Sequence, residues 1–163
     1  MTDKSSDDSN LTLRLFAPSD SDTAADVIHR STSAAYSFMS WTHSREETRA
    51  WFAASVDDWS AIWLAERDGR LVGVLCLNDD HIDQLFVDSG EQRTGIGSRL
   101  LAKALELCQG PVTLHTFQMN RTARAFYERH GFQAVAFGVS EAEGEPDVLY
   151  RLDAAERSTS EAS

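Results

Sequence analysis

The segment from Phe86 to Leu101 joins an apolar strand to an apolar-periodic helix through a polar loop that contains two glycines. The first N–H groups of a helix have no partners within the helix, and the helix dipole makes that end partly positive. Gly95 and Gly97 leave the backbone open to a bound group. The segment therefore predicts a site for an anion such as phosphate at the start of the helix. The alternative is a tight strand-to-helix turn that merely tolerates glycine.

Two familiar phosphate-binding motifs do not fit this loop. A Walker loop needs Lys and then Ser or Thr after its last glycine, whereas Ser98-Arg99 stands there in this chain. A dinucleotide-binding loop needs a third glycine where this chain has Leu100. The remaining pattern is Gln-x-x-Gly-x-Gly, with Gln92, Gly95 and Gly97 in place. It resembles the coenzyme A loop of the GCN5-related N-acetyltransferase (GNAT) family.

A second motif supports the resemblance. Residues 120–132 resemble the family pattern Asn-x-x-Ala-x-x-Phe-Tyr-x-x-x-Gly-Phe, and the matching residues are Asn120, Ala123, Phe126, Tyr127, Gly131 and Phe132. These residues also fit an ordinary amphipathic helix, with Asn120 as its N-cap and Gly131 just after its end. Two motifs in the family's order favour the GNAT interpretation, which covers most of the chain from Leu11 to Leu152.

The predicted order of elements agrees with the resemblance. Apolar periodicity and capping signals predict strands over 11–15, 61–66, 71–77, 81–87, 112–117, 132–139 and 148–152, and helices over 21–35, 44–59, 97–108 and 120–130. The pattern alone gives one α/β or α+β domain. The resemblance implies the GNAT fold, an α/β fold with a mixed, mostly antiparallel sheet flanked by helices. We expect a single domain over 10–153 between disordered tails at 1–9 and 154–163.

Composition narrows the expected partners and cofactors. Lys+Arg 15 against Asp+Glu 26 give a net charge of −11. This balance argues against nucleic acid and anionic membranes as partners and suits a cationic substrate, although solubility explains it as well. Cys76 and Cys108 form no C-x-x-C pair or metal-ligand cluster, so we expect reduced thiols in a cytoplasmic protein without a metal. No apolar run is long enough to span a membrane.

The resemblance implies an enzyme that transfers the acetyl group of acetyl-CoA to an amine by direct attack in a ternary complex. In the family, loop amides hold the pyrophosphate of this cosubstrate, while main-chain groups at the end of the preceding strand pair with pantetheine and the acetyl carbonyl. Carried over to this sequence, the cofactor-binding residues are Leu85, Phe86, Val87, Gln92, Arg93, Thr94, Gly95, Ile96, Gly97, Ser98 and Asn120. Arg93 and Thr94 depart from the family's commoner residues, which leaves a contact from the Arg93 side chain open.

The resemblance also implies catalytic residues. Tyr127 matches the family tyrosine that protonates the departing CoA thiolate, with packing by its ring as the alternative. Strand alternation puts His81, Asp83, Leu85 and Val87 on one face. His81 falls where histone-type members carry the general base, and Asp83 lies one pleat nearer the loop. The alternatives are that His81 is a surface histidine at the start of a strand and that water acts as the general base.

The acceptor pocket is expected at the first two helices and their connection. Its candidate residues are Phe38, Met39, Trp41 and His43, together with His115 and Phe117 on the facing strand. An aromatic wall suits an amine through cation–π contact. The acceptor amine belongs to a small molecule or a protein, and the oligomeric state stays open, a homodimer included. Two rival functions are a non-catalytic acyl-CoA-binding regulatory domain on the same fold and a binding protein for another phosphorylated ligand.

Overall fold

The computed structural model describes residues 10–35, 43–91 and 94–153, so the predicted tails lie outside the described residues. Over these ranges the elements follow the predicted order β-α-α-β-β-β-α-β-α-β-β. The strands are β1 (Leu11–Leu15), β2 (Ala61–Arg67), β3 (Arg70–Asn78), β4 (His81–Val87), β5 (Val112–Phe117), β6 (Gln133–Val139) and β7 (Pro146–Leu152). The helices are α1 (Ser21–Ala35), α2 (Arg45–Ser55), α3 (Ile96–Leu107) and α4 (Arg121–Arg129), with short 3₁₀ turns at Pro18–Asp20, Val56–Asp58 and Ser89–Glu91.

Local capping signals explain where two of these helices begin. At α2, the Glu47 N–H donates to Ser44 Oγ at 3.0 Å, and the Ser44 N–H donates to Glu47 Oε1 at 2.7 Å. At α4, the Ala123 N–H donates to Asn120 Oδ1 at 3.1 Å. Both caps are those that the sequence predicts.

One seven-stranded sheet carries the fold, in the order β1-β2-β3-β4-β5-β7-β6. All neighbouring strands pair antiparallel except β4 and β5, which confirms the predicted mixed, mostly antiparallel sheet. The parallel pair is short, because only His81 with Thr113 and Ile82 with Leu114 are in register. Past Ile82 the ladder between β4 and β5 ends, and the strands leave a gap in the middle of the sheet.

Helices cover both faces of this sheet, as the fold prediction requires. On one face, Ile28 of α1 and Phe52 of α2 belong to a buried cluster with residues of β2 and β3. On the other face, Leu100 of α3 and Tyr127 of α4 belong to a second buried cluster. Among the described residues, these helices are all too short or too polar to cross a membrane.

A β-bulge interrupts β4 near its start. Leu77 of β3 pairs with Ile82, and the next pair joins Cys76 to Gln84, so Asp83 is an extra residue on β4. A bulge of this kind shifts the alternation of side chains beyond it by one position.

The bulge overturns one prediction about β4. Ile82, Leu85 and Val87 all pack into the cluster beneath α3 and α4, which strict alternation does not allow. The prediction that His81 and Asp83 share a face with Leu85 and Val87 is therefore wrong. It was based on an uninterrupted strand, whereas the register with β3 inserts one residue.

Candidate active site

The gap between β4 and β5 lies beside a cavity of about 920 Å³. Side chains of α1, α2, β4, β5 and the β6–β7 connection line this cavity. Ile28, Thr48 and Phe86 are among them, and Ile28 and Phe86 belong to the core on the α1–α2 face of the sheet. We call this space the acceptor cavity because it adjoins the gap where two ligands from opposite faces can meet.

Three of the residues predicted for an acceptor pocket line this cavity. They are His43, at the approach to α2, and His115 and Phe117 on β5. The other three, Phe38, Met39 and Trp41, lie outside the described residues. The structure therefore brings His43 to the same cavity as His115 and Phe117, which follow it by more than 70 positions in the chain. A helix that packs on a sheet can contact a distant strand in this way.

The bulge residue Asp83 lines the acceptor cavity. Its Oδ2 atom accepts a hydrogen bond from Trp59 Nε1 at 2.7 Å. The Trp59 ring lies 5.3 Å from the Phe52 ring and 5.8 Å from the Trp51 ring, centroid to centroid. An indole donor fixed by aromatic neighbours therefore holds the carboxylate in one orientation at the wall of the cavity.

His81, the other candidate base, stands at the point where β4 and β5 separate. Its Nδ1 atom is 2.7 Å from Thr113 Oγ1, and its ring centroid is 5.4 Å from that of His115, which lines the cavity. Burial lowers the pKa of His81, the nearby His115 lowers it further, and the Asp83 carboxylate opposes the shift. The neutral imidazole, which can accept a proton, is therefore favoured at neutral pH.

On the α3–α4 face, the predicted anion site is the start of α3. Gly95 is the N-cap, with φ 87° and ψ 0°, a left-handed conformation that favours glycine. Because α3 begins at Ile96, the N–H groups of Ile96, Gly97 and Ser98 lie in its first turn, where helix geometry supplies no partner. Of the predicted loop residues, Gln92 and Arg93 lie outside the described part of the chain.

Gly97 lies where the first turn of α3 packs against α4 and the end of β4. A Cβ atom there would lie 3.4 Å from the Phe126 ring and 3.7 Å from Val87 Cγ2, which are ordinary van der Waals distances. The N–H groups of this turn therefore lie near the end of β4, where the ladder to β5 is absent.

The turn before α3 is tied to the β2–β3 hairpin. Glu91 forms ion pairs with Arg67 at 3.0 Å and with Arg70 at 2.7 Å. The Thr94 hydroxyl donates to the Glu91 carbonyl at 2.6 Å. Sequence analysis missed this brace, because only the opposite charges signal it and many other pairings of those charges were available. It orders the polypeptide on both sides of the loop.

A histidine at the end of α4 faces the same first turn. His130 Nδ1 donates to the Phe126 carbonyl at 2.8 Å, and His130 Nε2 lies 3.2 Å from Ser98 Oγ. The Phe126 and His130 rings are 4.6 Å apart, centroid to centroid. The Ser98 side chain is exposed, so this pair borders the predicted anion site without closing it.

Tyr127 and Asn120 both have the structural roles that the sequence left as alternatives. The Tyr127 side chain is buried, and its ring centroid is 5.1 Å from Phe126, 5.6 Å from Phe132 and 6.4 Å from Tyr150. The Asn120 side-chain oxygen caps α4. Neither role prevents a further one, so their parts in catalysis and cofactor binding stay predictions.

The end of β4 offers backbone to the gap. Leu85, Phe86 and Val87 pair with β3 along one edge, and the ladder to β5 on the other edge ends at Ile82. The Leu85 and Val87 side chains pack beneath α3 and α4, whereas Phe86 packs on the other face and lines the acceptor cavity, so the free edge of β4 presents main-chain groups to the gap. The contact of these groups with pantetheine stays a prediction.

Comparison with known proteins agrees with this architecture. The model of the acetyltransferase (GNAT) family matches residues 26–132. The peptidyl-lysine N-acetyltransferase YjaB of Salmonella typhimurium is 30% identical over 130 residues, which are 77% of this chain and 86% of that protein.

Solved structures share the fold. The solution structure of apo YjaB from Escherichia coli superposes with a TM-score of 0.73 at 22% identity, covering 86% of this chain and 96% of that one. The PaiA N-acetyltransferase of Thermoplasma acidophilum, solved in complex with coenzyme A, has a TM-score of 0.66 at 17% identity, covering 88% and 98%. The sequence motifs, the interrupted sheet and these matches together establish that the chain belongs to the GNAT family of acetyl-CoA-dependent N-acetyltransferases.

Proposed function

We propose that this enzyme transfers the acetyl group directly from acetyl-CoA to an amine in a ternary complex at the gap between β4 and β5. The main observation behind this proposal is the gap, because it lies between the start of α3 on one side and the acceptor cavity on the other. Coenzyme A bound to PaiA and the peptidyl-lysine activity in the name of YjaB support the two halves of the proposal.

Acetyl-CoA is proposed to bind with its pyrophosphate at the first turn of α3. The N–H groups of Ile96, Gly97 and Ser98 would hold the phosphate oxygens, helped by the partial positive charge of the helix end. Pantetheine would lie along β4, hydrogen-bonded to main-chain groups of residues 85–87, with Asn120 near the arm. This arrangement directs the thioester carbonyl into the gap.

The acceptor amine would attack that carbonyl from the cavity. It must first lose a proton, which His81, Asp83 or water would take. The neutral nitrogen then forms the C–N bond, and the carbonyl becomes an oxyanion that main-chain N–H groups of β4 would stabilise. As the carbonyl forms again, the C–S bond breaks and the sulfur takes a proton from Tyr127, because a phenol is protonated at neutral pH. The nitrogen gives up its second proton as it becomes an amide, and this proton restores the Tyr127 hydroxyl.

The pH profile tests the base. If His81 acts in its neutral form, kcat/KM should fall on the acid side of its lowered pKa, which lies below the usual histidine value of ~6.5. His115→Asn removes the smaller of the two influences that lower the pKa of His81, so the acid limb should move to higher pH, towards ~6.5. His81→Ala should abolish the limb. A parental limb in folded His81→Ala would assign the base to Asp83 or to water.

The reaction itself is tested with acetyl-CoA and a panel of amines that includes diamines, amino acids and lysine peptides. We expect at least one amine to release CoA thiol above the rate with acetyl-CoA alone and to yield an acetylated product by mass spectrometry. Heat-denatured enzyme is the control. Binding of acetyl-CoA without acetylation of any amine would support the non-catalytic alternative instead.

The cellular setting is part of the proposal. Cys76 and Cys108 are both buried, the Cys108 thiol donates to the Asp79 carbonyl at 3.8 Å, and burial raises the pKa of the Cys76 thiol well above its usual range. Reduced, unreactive thiols are typical of cytoplasmic proteins. We therefore propose that the enzyme acts in the cytoplasm on an amine acceptor.

A further inference from the structure

We propose that the acceptor carries a second positive charge besides the amine that is acetylated. The chemical class is a diamine, a polyamine or a lysine side chain next to another basic group. This inference rests on the proposed function, since it names the substrate class of the same cavity. The position of the site is defined by the gap in the sheet, and the charge of the residues that line the cavity indicates which class of acceptor fits it.

The charge around the acceptor cavity is negative. Five carboxylates line it, and no lysine or arginine occurs among its described lining residues. The carboxylates come from three parts of the fold, namely α2, the bulge of β4 and the segment from the end of β6 to β7, and are Glu47, Asp83, Glu141, Glu143 and Asp147. Their convergence in space gives a field that attracts cations.

None of these five carboxylates is in an ion pair within the described ranges. Several acids elsewhere in the fold do pair with arginine, as in Arg49 with Asp26 at 2.7 Å and Arg30 with Asp88 at 2.7 Å. Within the described ranges, the cationic influence on the cavity carboxylates comes from histidines, with His43 near Glu47 and His81 near Asp83. A bound cation would compensate the negative charge that remains.

The number of carboxylates favours an acceptor with more than one cation. The amine that attacks the thioester must be neutral, and nearby carboxylates hold its proton in place by Coulomb attraction. Five carboxylates around a single reacting amine would therefore oppose the reaction. A second cation, which keeps its charge throughout, makes the same carboxylates useful for binding and orientation.

The carboxylates of the acceptor cavity lie on separate elements, so the reacting amine and the second cation can have different partners. Asp83 sits on β4 beside the gap, where the reacting nitrogen must lie. Glu141 and Asp147 belong to the β6–β7 side, and Asp147 pairs with Phe117 across the β5–β7 ladder. Trp51 of α2 also faces the cavity and offers a ring for cation–π contact. The structure assigns the non-reacting cation to Glu141 and Asp147.

Three substrates of equal chain length test the proposal: cadaverine, n-pentylamine and the ω-amino acid that has a carboxylate in place of the second amine. We expect kcat/KM to be highest for cadaverine, roughly tenfold or more lower for n-pentylamine, and lowest for the amino acid. Equal values for the three would overturn the proposal while leaving acetyl transfer intact. Absence of acetylation for all amines tested would instead contradict the proposed function.

The variant Glu141→Gln/Asp147→Asn tests the assigned residues. Its KM for cadaverine should rise roughly tenfold and its KM for n-pentylamine much less, since the second cation loses its direct partners whereas the reacting amine loses only a more distant attraction. Asp57→Asn is the matched control, because Asp57 is an exposed carboxylate outside the cavity. Parallel changes for both amines, or the same change in Asp57→Asn, would overturn the assignment. Thermal unfolding of each variant verifies the fold.

Two peptides distinguish a protein acceptor from a free polyamine. Each carries one lysine, flanked by arginine in the first and by alanine in the second. Faster acetylation of the arginine-flanked lysine than of spermidine would point to a protein acceptor, and the reverse order to a free polyamine. A preference for the alanine-flanked peptide over the arginine-flanked one would contradict the proposal.

Discussion

Replacing Tyr127 by phenylalanine is expected to lower kcat by roughly 10²-fold or more while leaving acetyl-CoA affinity nearly unchanged. The size is that of a positioned proton donor. The substitution removes only the hydroxyl, and the ring keeps its contacts with Phe126, Phe132 and Tyr150. Binding should persist because the hydroxyl acts after the acetyl group has begun to leave CoA.

The rate of Tyr127→Phe has to be measured at saturating acetyl-CoA with an acceptor that the parent enzyme uses, under conditions where chemistry limits turnover. Calorimetry gives the affinity, and thermal unfolding verifies the fold. Phe132→Leu is a useful comparison, since it perturbs the same aromatic cluster without removing a proton donor. A parental kcat in Tyr127→Phe would leave Tyr127 as a core residue only.

Introducing a carboxylate at Ser98 is expected to weaken acetyl-CoA binding by about 10- to 100-fold. Ser98 is exposed in the first turn of α3, at the predicted pyrophosphate site. A unit charge about 4 Å from another costs ~1 kcal/mol in water and ~4 kcal/mol near a protein surface, and pyrophosphate brings more than one charge. The same carboxylate stabilises the helix end by ~0.3–1 kcal/mol, so Ser98→Asp should not unfold the protein.

Ser98→Asn is the matched control for Ser98→Asp, because it has nearly the same shape and no charge. Calorimetric titration with acetyl-CoA should give close to the parental Kd for Ser98→Asn and a much higher one for Ser98→Asp. Rising salt should narrow the difference by screening. Equal affinity of the two variants for acetyl-CoA would mean that the pyrophosphate does not bind at the start of α3.

Local signals in the sequence predicted most of the fold. Ser44 and Asn120 cap their helices as expected, because a cap needs only residues three positions apart. The Gly95 and Gly97 pattern located the start of α3. The mixed, mostly antiparallel sheet followed from the resemblance to the family, and the short parallel contact between β4 and β5 agrees with it.

Features that depend on distant partners could not be predicted in this way. The bulge at Asp83 arises from the register between β4 and β3, so alternation along β4 alone placed His81 and Asp83 on the wrong face. The ion pairs of Glu91 join the loop to a hairpin more than 20 residues earlier. Sequence analysis also missed the carboxylates around the acceptor cavity. The segment 141–147 was a visible signal, because it has no basic residue and contains Glu141, Glu143, Glu145 and Asp147.

Acetyl-CoA and the amine are proposed to meet in the gap between β4 and β5, where the acetyl group passes directly from one to the other. Initial rates measured over a matrix of acetyl-CoA and acceptor concentrations test this transfer. Direct attack in a ternary complex predicts double-reciprocal lines that intersect, because both substrates must be bound before CoA leaves. Parallel lines would mean that CoA departs before the amine binds, and would rule out direct transfer.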